Sequence, residues 1–274
     1  MAMICLSSLA GCPGEEVARE AARLTGSEYV GPELLTAAAT GAGLPVEKLH
    51  QALTTAPSFF GITLATRRRC LAHLQAVLTG RLLQGPTVFL VPYGHHLVRG
   101  ISHLLKVRLY APGEVRAQSW AQARSCSAAE AVRRVREQDR VRLLLARLLF
   151  SADDDDNDLF DLVVNSSHLD VEAAAQVVAE TATQPRYRET SYSRQCLEDL
   201  ALANRVKAAL VGEDDEVEVT SSGGLVRLRT RVTGRRSRRR RQRLQQLAEQ
   251  VDGVMGVELE QVDDLISRIT RPLR

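Results

Sequence analysis

Short apolar segments alternate with segments of helical periodicity over the first two-thirds of the chain, and this alternation constrains the fold more than any other feature. The apolar segments, each predicted to be a buried strand, are MICLS, TVFLVPYG, LKVRLYAP and LFDLVVN. Helices are predicted over residues 15–24, across a stretch containing 67–69, from 127 to about 150, and over 171–180. Strands that are apolar throughout need helices on both sheet faces, so the pattern predicts an α/β fold with a three-layer parallel sheet.

The last third of the chain differs, because strand signals of period two lie between two amphipathic helices. The helices are predicted around Leu202 and Leu244, and the strands over VEV, GGLVRLRTRV and VELEQV. A polar segment containing Pro185 precedes them and is typical of a linker. We therefore predict a first domain over residues 1–184, a linker over 185–197, a small α+β domain over 198–266 and a tail over 267–274.

Composition is that of a soluble globular protein and excludes several other classes. Charged residues make up 25% of the chain and apolar residues 45%. None of the five cysteines forms a pair with metal-ligand or redox spacing, which predicts reduced thiols in a cytoplasmic protein. No apolar stretch is long enough to span a bilayer, and the N-terminus lacks the pattern of an export signal.

The turn between the first strand and the first helix has the position of a phosphate-binding loop. In such loops, successive backbone N–H groups and a helix N-terminus converge on an anion. Here the turn is GCPG at residues 11–14, it carries no lysine, and Pro13 has no N–H to donate. Glu15 and Glu16 then place two carboxylates near the expected phosphate. Two interpretations stay open: a plain helix start whose acids complement the helix dipole, and a working phosphate cradle.

Two family resemblances cover nearly the whole chain. The first is carried, in order, by ICLSSLAGCPGEEVAREAARLTG, YVGPELL, VRLYAPGEVRAQ, AVRRVREQDRVR and DNDLFDLVVNSSHLDVEAAAQVV. Together these segments resemble the cytidylate kinase-like branch of the P-loop nucleoside-monophosphate kinases. The last third resembles a BON domain, a small αββαβ-type module, through ALANRVKAAL, SSGGLVRLRTRVTG and LAEQVDGVMGVELEQV.

The first resemblance implies a P-loop kinase-like fold that transfers phosphate from ATP, with magnesium, to a nucleoside monophosphate. It assigns nucleotide binding to a set of five residues. These are Gly11, Cys12 and Gly14 in the turn, His95 in the acceptor pocket, and Asp139 in the lid sequence.

The same resemblance implies three catalytic arginines. Arg116 matches the arginine that follows the strand end in APGEVR, and Arg140 and Arg142 match the lid pattern in DRVR. Phosphoryl transfer depends mainly on positioning and charge neutralisation, so arginines suit this role. The alternative is an arginine-rich helix face that is simply solvated.

The chain departs from the family pattern at three places. The family turn is often glycine–serine–glycine–glycine, and Cys12 and Pro13 replace its serine and one glycine. His95 stands where an arginine grips the substrate phosphate, and a neutral imidazole lacks the charged bidentate fork. Gly31 replaces an aspartate. We therefore expect weak or lost phosphotransfer, and the alternative is a non-catalytic nucleotide sensor or scaffold.

His95 and His96 are adjacent near the carboxyl end of a predicted strand. Such a pair is compatible with a metal site or with acid–base chemistry, but the sequence offers no further ligands in view. We therefore predict a partly exposed loop pair and no metal.

Two blocks of like charge complete the candidates. The acid block DDDDND, residues 153–158, either pairs with the lid arginines or forms a self-repelling, disordered turn. The arginine run GRRSRRRRQR, residues 234–243, predicts an anionic partner, either a phospholipid surface or a nucleic acid, and a solvated arginine loop is the alternative. The predicted anion-binding residues are Arg235, Arg236, Arg238, Arg239 and Arg240.

Overall fold

A five-stranded parallel sheet forms the centre of the first two-thirds of the chain in the computed structural model, which describes residues 3–58, 61–230 and 237–261. The strands are β1 (Met3–Ser8), β2 (Glu28–Val30), β3 (Thr87–Phe89), β4 (Leu104–Tyr110) and β5 (Leu162–Asn165). Their order in the sheet is β2-β3-β1-β4-β5, and every adjacent pair is parallel. The carboxyl ends of these strands therefore lie at the same end of the sheet.

Helices connect the strands and cover both faces of the sheet. The α-helices of the described residues, including two that also pack on the small second sheet, are α1 (Gly14–Thr25), α2 (Glu33–Ala42), α3 (Val46–Thr54), α4 (Leu64–Leu82), α5 (Gly94–Leu97), α6 (Gly113–Arg124), α7 (Ala128–Phe150), α8 (Val171–Ala182), α9 (Ser191–Leu210) and α10 (Ser237–Glu249). Within the described ranges, no helix combines the length and the apolar character that crossing a membrane requires.

Alternate residues of β1 enter two separate cores. Ile4 and Leu6 pack on one face with α1 and α8, whereas Met3 and Cys5 pack on the other with α2, α3 and α4. A strand buried on both faces must be apolar throughout, which is why β1 lacks polar alternation. The predicted three-layer α/β fold is confirmed.

Local sequence signals set the ends of α7, the helix that carries the predicted lid. The Ser127 hydroxyl accepts a hydrogen bond from the Glu130 N–H at 3.2 Å, so the helix begins where its capping pattern predicts. It ends at Ser151, which adopts a left-handed conformation with φ of 53°. Between these caps, the middle of α7 lies over the carboxyl end of the sheet.

A second, small sheet follows, as the sequence predicts. It consists of β6 (Glu218–Ser222), β7 (Leu225–Thr230) and β8 (Gly256–Gln261), with β6–β7 antiparallel and β7–β8 parallel. Val226 and Leu228 of β7 pack with Val206 of α9 and Leu244 of α10 in a separate core. The predicted α+β unit is therefore present, while its likeness to a BON domain stays a prediction.

The arginines of β7 do not form a free row of cations. Arg227 lies 3.1 Å from Glu258, and Arg229 lies 3.2 Å from both Glu218 and Glu260. These glutamates belong to the strands on either side of β7. Positive charge seen in the sequence of this strand is thus balanced across the sheet.

The segment predicted to be a linker is not an extended connection. Helix α9 begins at Ser191, and Thr190 and Ser193 form a reciprocal capping box at its start. Leu197 is 1% exposed and packs in the same core as α4. The Arg194 guanidinium also donates to the Leu83 carbonyl at 3.0 Å. The polar residues of this segment lie on the exposed side of α9, whereas the other side docks on α4. The four-part domain division stays a prediction, and its tail lies outside the described residues.

Leu197→Ala tests the docking of α9. We expect it to lower the free energy of unfolding by about 2–5 kcal/mol, because it leaves a cavity in a packed core. Urea denaturation measures the change. Leu225→Ala makes the same truncation at a leucine that is 57% exposed and should cost less than about 0.5 kcal/mol. Equal effects at the two positions would contradict the docking of this helix.

Candidate functional site

A cavity of about 330 Å³ lies at the carboxyl ends of β1 and β3. This end of an open parallel sheet is where α/β proteins commonly bind ligands. The end of α3 and the middle of α7 close two of its sides. The apolar part of the lining consists of Ala10, Pro32, Leu53, Leu90, Val91, Pro92 and Val141. The uncharged polar part consists of Ser7, Ser8, Tyr29, Thr54, Tyr93 and Gln138.

One end of this cavity is a cluster of charged and polar side chains around Asp154. His95, Arg142 and Asp154 all line the cavity. The Nε2 atoms of His95 and His96 each lie 2.8 Å from Asp154 Oδ1. The guanidinium of Arg142 contacts the other carboxylate oxygen, Oδ2. Both carboxylate oxygens of a buried acid therefore have donors, as burial of a charge requires.

A second layer holds the acid block around this carboxylate. Arg108, on β4, donates to the Asp154 carbonyl at 2.6 Å and to Asp155 Oδ1 at 3.3 Å. Arg142 donates to the same carbonyl at 2.8 Å and to Asp155 Oδ1 at 2.7 Å. Asp154 is 1% exposed, while Asp153 and Asp155 on either side are exposed. The acid block therefore turns one of its side chains inward.

Protonation in the cluster follows from these contacts. Burial acts to raise the pKa of Asp154, but the hydrogen bonds from His95 and His96 and the charge of Arg142 outweigh it. The pKa of this carboxyl consequently lies well below its usual range. Burial lowers the pKa of His95, and the nearby Asp154 offsets this only in part. The cluster at neutral pH thus contains a carboxylate that accepts from the neutral imidazole of His95 and from an arginine.

The geometry of the cluster fits a hydrogen-bonded carboxylate better than a metal centre. Nitrogen and oxygen atoms of His95, His96 and Asp154 lie within 4.8 Å of one another, which is compatible with metal ligation. However, the Arg99 guanidinium lies 3.2 Å from His96 Nδ1 and can only donate, so that ring carries its proton on Nε2. A ligating histidine needs the opposite arrangement, with a bare Nε2 and an N–H on the far nitrogen.

The structure answers two questions from the sequence, the exposure of the histidine pair and the pairing of the acid block. The histidine pair is not partly exposed, since His95 and His96 are each 4% exposed; that expectation is wrong. The acid block pairs with arginines of the lid helix α7, which was one of the two alternatives. Arg142 contacts Asp154, and Arg147 lies 3.7 Å from Asp153. The polarity of the histidines suggested exposure, but Asp154, which is distant in the sequence, pairs with both of them and permits their burial.

The turn after β1 uses part of its own hydrogen-bonding capacity. The Cys12 N–H donates to the Leu9 carbonyl at 3.0 Å, and the Gly14 N–H donates to the Cys12 carbonyl at 2.9 Å. Pro13 has no N–H. Gly11 has φ of +90°, and a Cβ there would lie 2.4 Å from the Arg116 carbonyl oxygen, so only glycine fits. Few donors of this turn remain for an anion.

Arg116 joins the turn to the lid. It is buried, and its Nε donates to the Ala111 carbonyl at 2.9 Å. Its Nη1 donates to the Ala10 carbonyl at 3.1 Å, and the guanidinium forms a two-pronged pair with Asp139 of α7 at 3.1 and 2.7 Å. Arg140 instead points away and pairs with Glu137 at 3.0 Å on the exposed face of α7.

The five predicted nucleotide-binding residues do not share one cavity. His95 and Asp139 line the cavity described above. Gly11 and Cys12 line a different cavity of about 370 Å³, beside Trp120 and Ser166. Gly14 packs against Ser8, because a Cβ there would lie 2.4 Å from the Ser8 side chain. Burial raises the pKa of the Cys12 thiol, so it is not an activated nucleophile.

The arginine run is described only in part. Arg235 and Arg236 lie outside the described residues. Arg238 and Arg239 are exposed at the start of α10, whereas Arg240 contacts the Glu213 carbonyl and lies 3.9 Å from Asp214. Binding of an anionic surface by this run stays a prediction.

Sequence reasoning missed Arg108, considered His96 only within the histidine pair, and did not distinguish Asp154 from the other acids of its block. Arg108 had a signal, since it lies between the apolar residues Val107 and Leu109 of a predicted buried strand and a buried arginine needs a partner. Asp154 had none, because the acid block offers several equivalent aspartates. Only the fold selects which of them enters the cavity.

Comparisons with known proteins bear on this part of the chain. A sequence model described as the cytidylate kinase-like family matches residues 3–168, which include every residue of the cavity. The chain is also similar to the crystal structure of an uncharacterized protein from Eubacterium ventriosum ATCC 27560, with a TM-score of 0.51 and 11% identity, over 66% of this chain and 97% of that one. At that identity the likeness shows the fold alone. No curated protein matches.

The protonation of the cluster predicts a loss of stability in acid. With the folded-state pKa of His95 depressed, the unfolded chain takes up a proton below about pH 6.5 that the folded chain does not. Asp154 acts in the same direction below about pH 4. The contribution of His95 to the free energy of unfolding is therefore fully present above its unfolded-state pKa. It decreases as the pH is lowered, by up to about 1.4 kcal/mol per pH unit.

Urea denaturation between about pH 5 and 7.5 measures this dependence. Burial also lowers the pKa of His73 and His103, so variants must be compared by difference. His95→Gln should flatten the slope by up to one proton, and His168→Gln, at an exposed histidine, is the matched control for the substitution itself. An unchanged slope in His95→Gln would mean that His95 titrates alike in the folded and unfolded chains.

Proposed function

Because the chain belongs to the cytidylate kinase-like family, we propose that it binds a nucleoside-type ligand in the cavity at the sheet's carboxyl end, with weak or lost phosphotransfer. The protein acts, on this proposal, as a ligand-binding or sensing member of a kinase-like family. A nucleoside-monophosphate kinase of ordinary activity is the competing function.

One observation carries the proposal: two of the three arginines expected to stabilise a transferring phosphoryl group are already paired inside the protein. Arg116 is bound to Asp139, and Arg142 is bound to Asp154 and Asp155. Phosphoryl transfer needs such cations free to neutralise charge that develops on the phosphate. Releasing either of them requires breaking a charge-assisted pair. The third, Arg140, is exposed and does not line the cavity.

The turn after β1 does not fit the triphosphate of ATP. Its Cys12 and Gly14 N–H groups are engaged within the turn, and Pro13 has none to offer. Glu15 lines the cavity at the first turn of α1, where a phosphate cradle would place its anion. With a carboxylate in that position, a helix N-terminus loses its attraction for a second anion. We derive no catalytic step through ATP and magnesium.

The cavity nevertheless has the character of a small-molecule site. At about 330 Å³ it falls within the size range of ligand pockets. Leu53, Leu90 and Val141 offer apolar surface, and Ser7 and Gln138 offer hydrogen-bonding groups between them. A nucleoside needs this combination, since its base is a flat apolar body with polar edges and its sugar carries hydroxyls.

A coupled phosphotransfer assay with ATP, magnesium and CMP tests the loss of catalysis. At high protein concentration we expect turnover no faster than the reaction without protein. Turnover that is abolished in Arg142→Ala would contradict the proposal and restore the kinase function.

Thermal unfolding with cytidine tests ligand binding. At about 100 times its dissociation constant, a ligand of the native state adds about 2.7 kcal/mol of stability and raises Tm. Val141→Phe, which fills the cavity, should remove this increase. Val163→Phe makes the same change at an exposed position of β5 and should retain it. No increase in the wild-type protein with either cytidine or CMP would overturn the proposal.

A further inference from the structure

We propose that Asp154 is an internal anion that fills the phosphate position of the cavity, so that the protein selects phosphate-free ligands over their phosphorylated counterparts. This inference rests on the proposed function, because it concerns the ligand of the same cavity. It makes Asp154 a specificity-determining residue.

Donors from three different elements converge on Asp154. His95 and His96 come from α5, Arg142 from α7 and Arg108 from β4, and all four reach the carboxylate or carbonyl of Asp154. Imidazole N–H groups and guanidinium forks gathered from separate elements are what proteins use to bind a phosphate or carboxylate ligand. Here the chain itself supplies the bound anion.

One donor of the cluster is also left without an acceptor. Arg142 Nε is buried and has no hydrogen-bond partner within the described part of the chain. Asp154 Oδ1 accepts from the two imidazoles and Oδ2 accepts from Arg142, but neither oxygen receives a hydrogen bond from Arg142 Nε. A phosphate group has three acceptor oxygens and suits such a donor set better. The site is thus built for a larger anion than the one it holds.

A ligand that enters the cavity would meet mainly negative charge. Glu15, Asp139 and Asp154 line the cavity, and Arg142 is the single cationic side chain among its described lining residues. Arg142 is already shared between Asp154 and Asp155. A phosphate entering the cavity would approach the buried carboxylate without an unpaired cation to receive it, and like charges repel strongly where water is excluded. A neutral nucleoside escapes this repulsion.

The wild-type protein tests the inference through a pair of ligands that differ by one phosphate. We expect cytidine to bind about tenfold more tightly than CMP in calorimetric titrations at fixed pH and salt. Tighter binding of CMP would overturn the inference and leave the proposed function standing. If neither ligand binds, the proposed function fails, and the response of Asp154→Ala to phosphate tests separately whether Asp154 fills an anion position.

Emptying the position should expose the anion site. Asp154→Ala is expected to lower Tm in phosphate-free buffer and to regain about 3 °C in about 10 mM inorganic phosphate at constant ionic strength. Asp158→Ala removes the same charge from an exposed position of the same segment and should respond to phosphate no more than the wild-type protein does.

Variants of different size at residue 154 distinguish the effect of emptying the anion position from the effect of removing the charge. Asp154→Asn keeps the position filled and should show no response to phosphate, whereas Asp154→Ser, which is smaller, should respond as Asp154→Ala does. Equal responses in Asp154→Ala and Asp158→Ala would overturn the inference. So would failure of both Asp154→Ala and Asp154→Ser to fold even in phosphate, because the free anion would then not replace the carboxylate.

Discussion

Burial of one carboxylate organises the open end of the central sheet. Asp154 connects α5, β4, α7 and the segment before β5 through its contacts with two histidines and two arginines. A buried ion pair adds little net stability when complete, but removing one partner leaves an uncompensated charge, which costs several kcal/mol. Asp154 therefore helps to hold α7 over the cavity.

A second pair repeats the arrangement on the other side of the cavity. Arg116 binds Asp139 and also reaches the Ala10 carbonyl, so that the turn after β1 is fixed to the lid helix. Asp139 and Asp154 thus neutralise Arg116 and Arg142, two of the three arginines that the family resemblance assigned to phosphate. The same fold can thus host a different function, because function resides in the side chains at the sheet end rather than in the sheet.

Charge balance between neighbouring elements recurs in the small C-terminal sheet. Arg227 and Arg229 face glutamates across β7, just as Arg116 and Arg142 face aspartates on the large sheet's open end. Arg68 of α4 likewise pairs with Asp215 at 2.9 Å, which joins the two parts of the chain. In each of these described pairs the partner of the arginine lies on another element of the fold.

The sequence alone establishes the α/β class, the positions of β1, β4 and α7, and the N-cap of α7 at Ser127. These features depend on apolar periodicity and on capping residues, which are local in the sequence. It also locates the turn after β1 and shows that Pro13 weakens it as an anion site. The burial of His95 and the choice of Asp154 from the acid block depend instead on long-range packing. These two residues are 59 positions apart, and no local pattern records a contact across that distance. Whether a charge is solvated or buried depends on the partner that the fold brings to it, and the chain order does not reveal that partner.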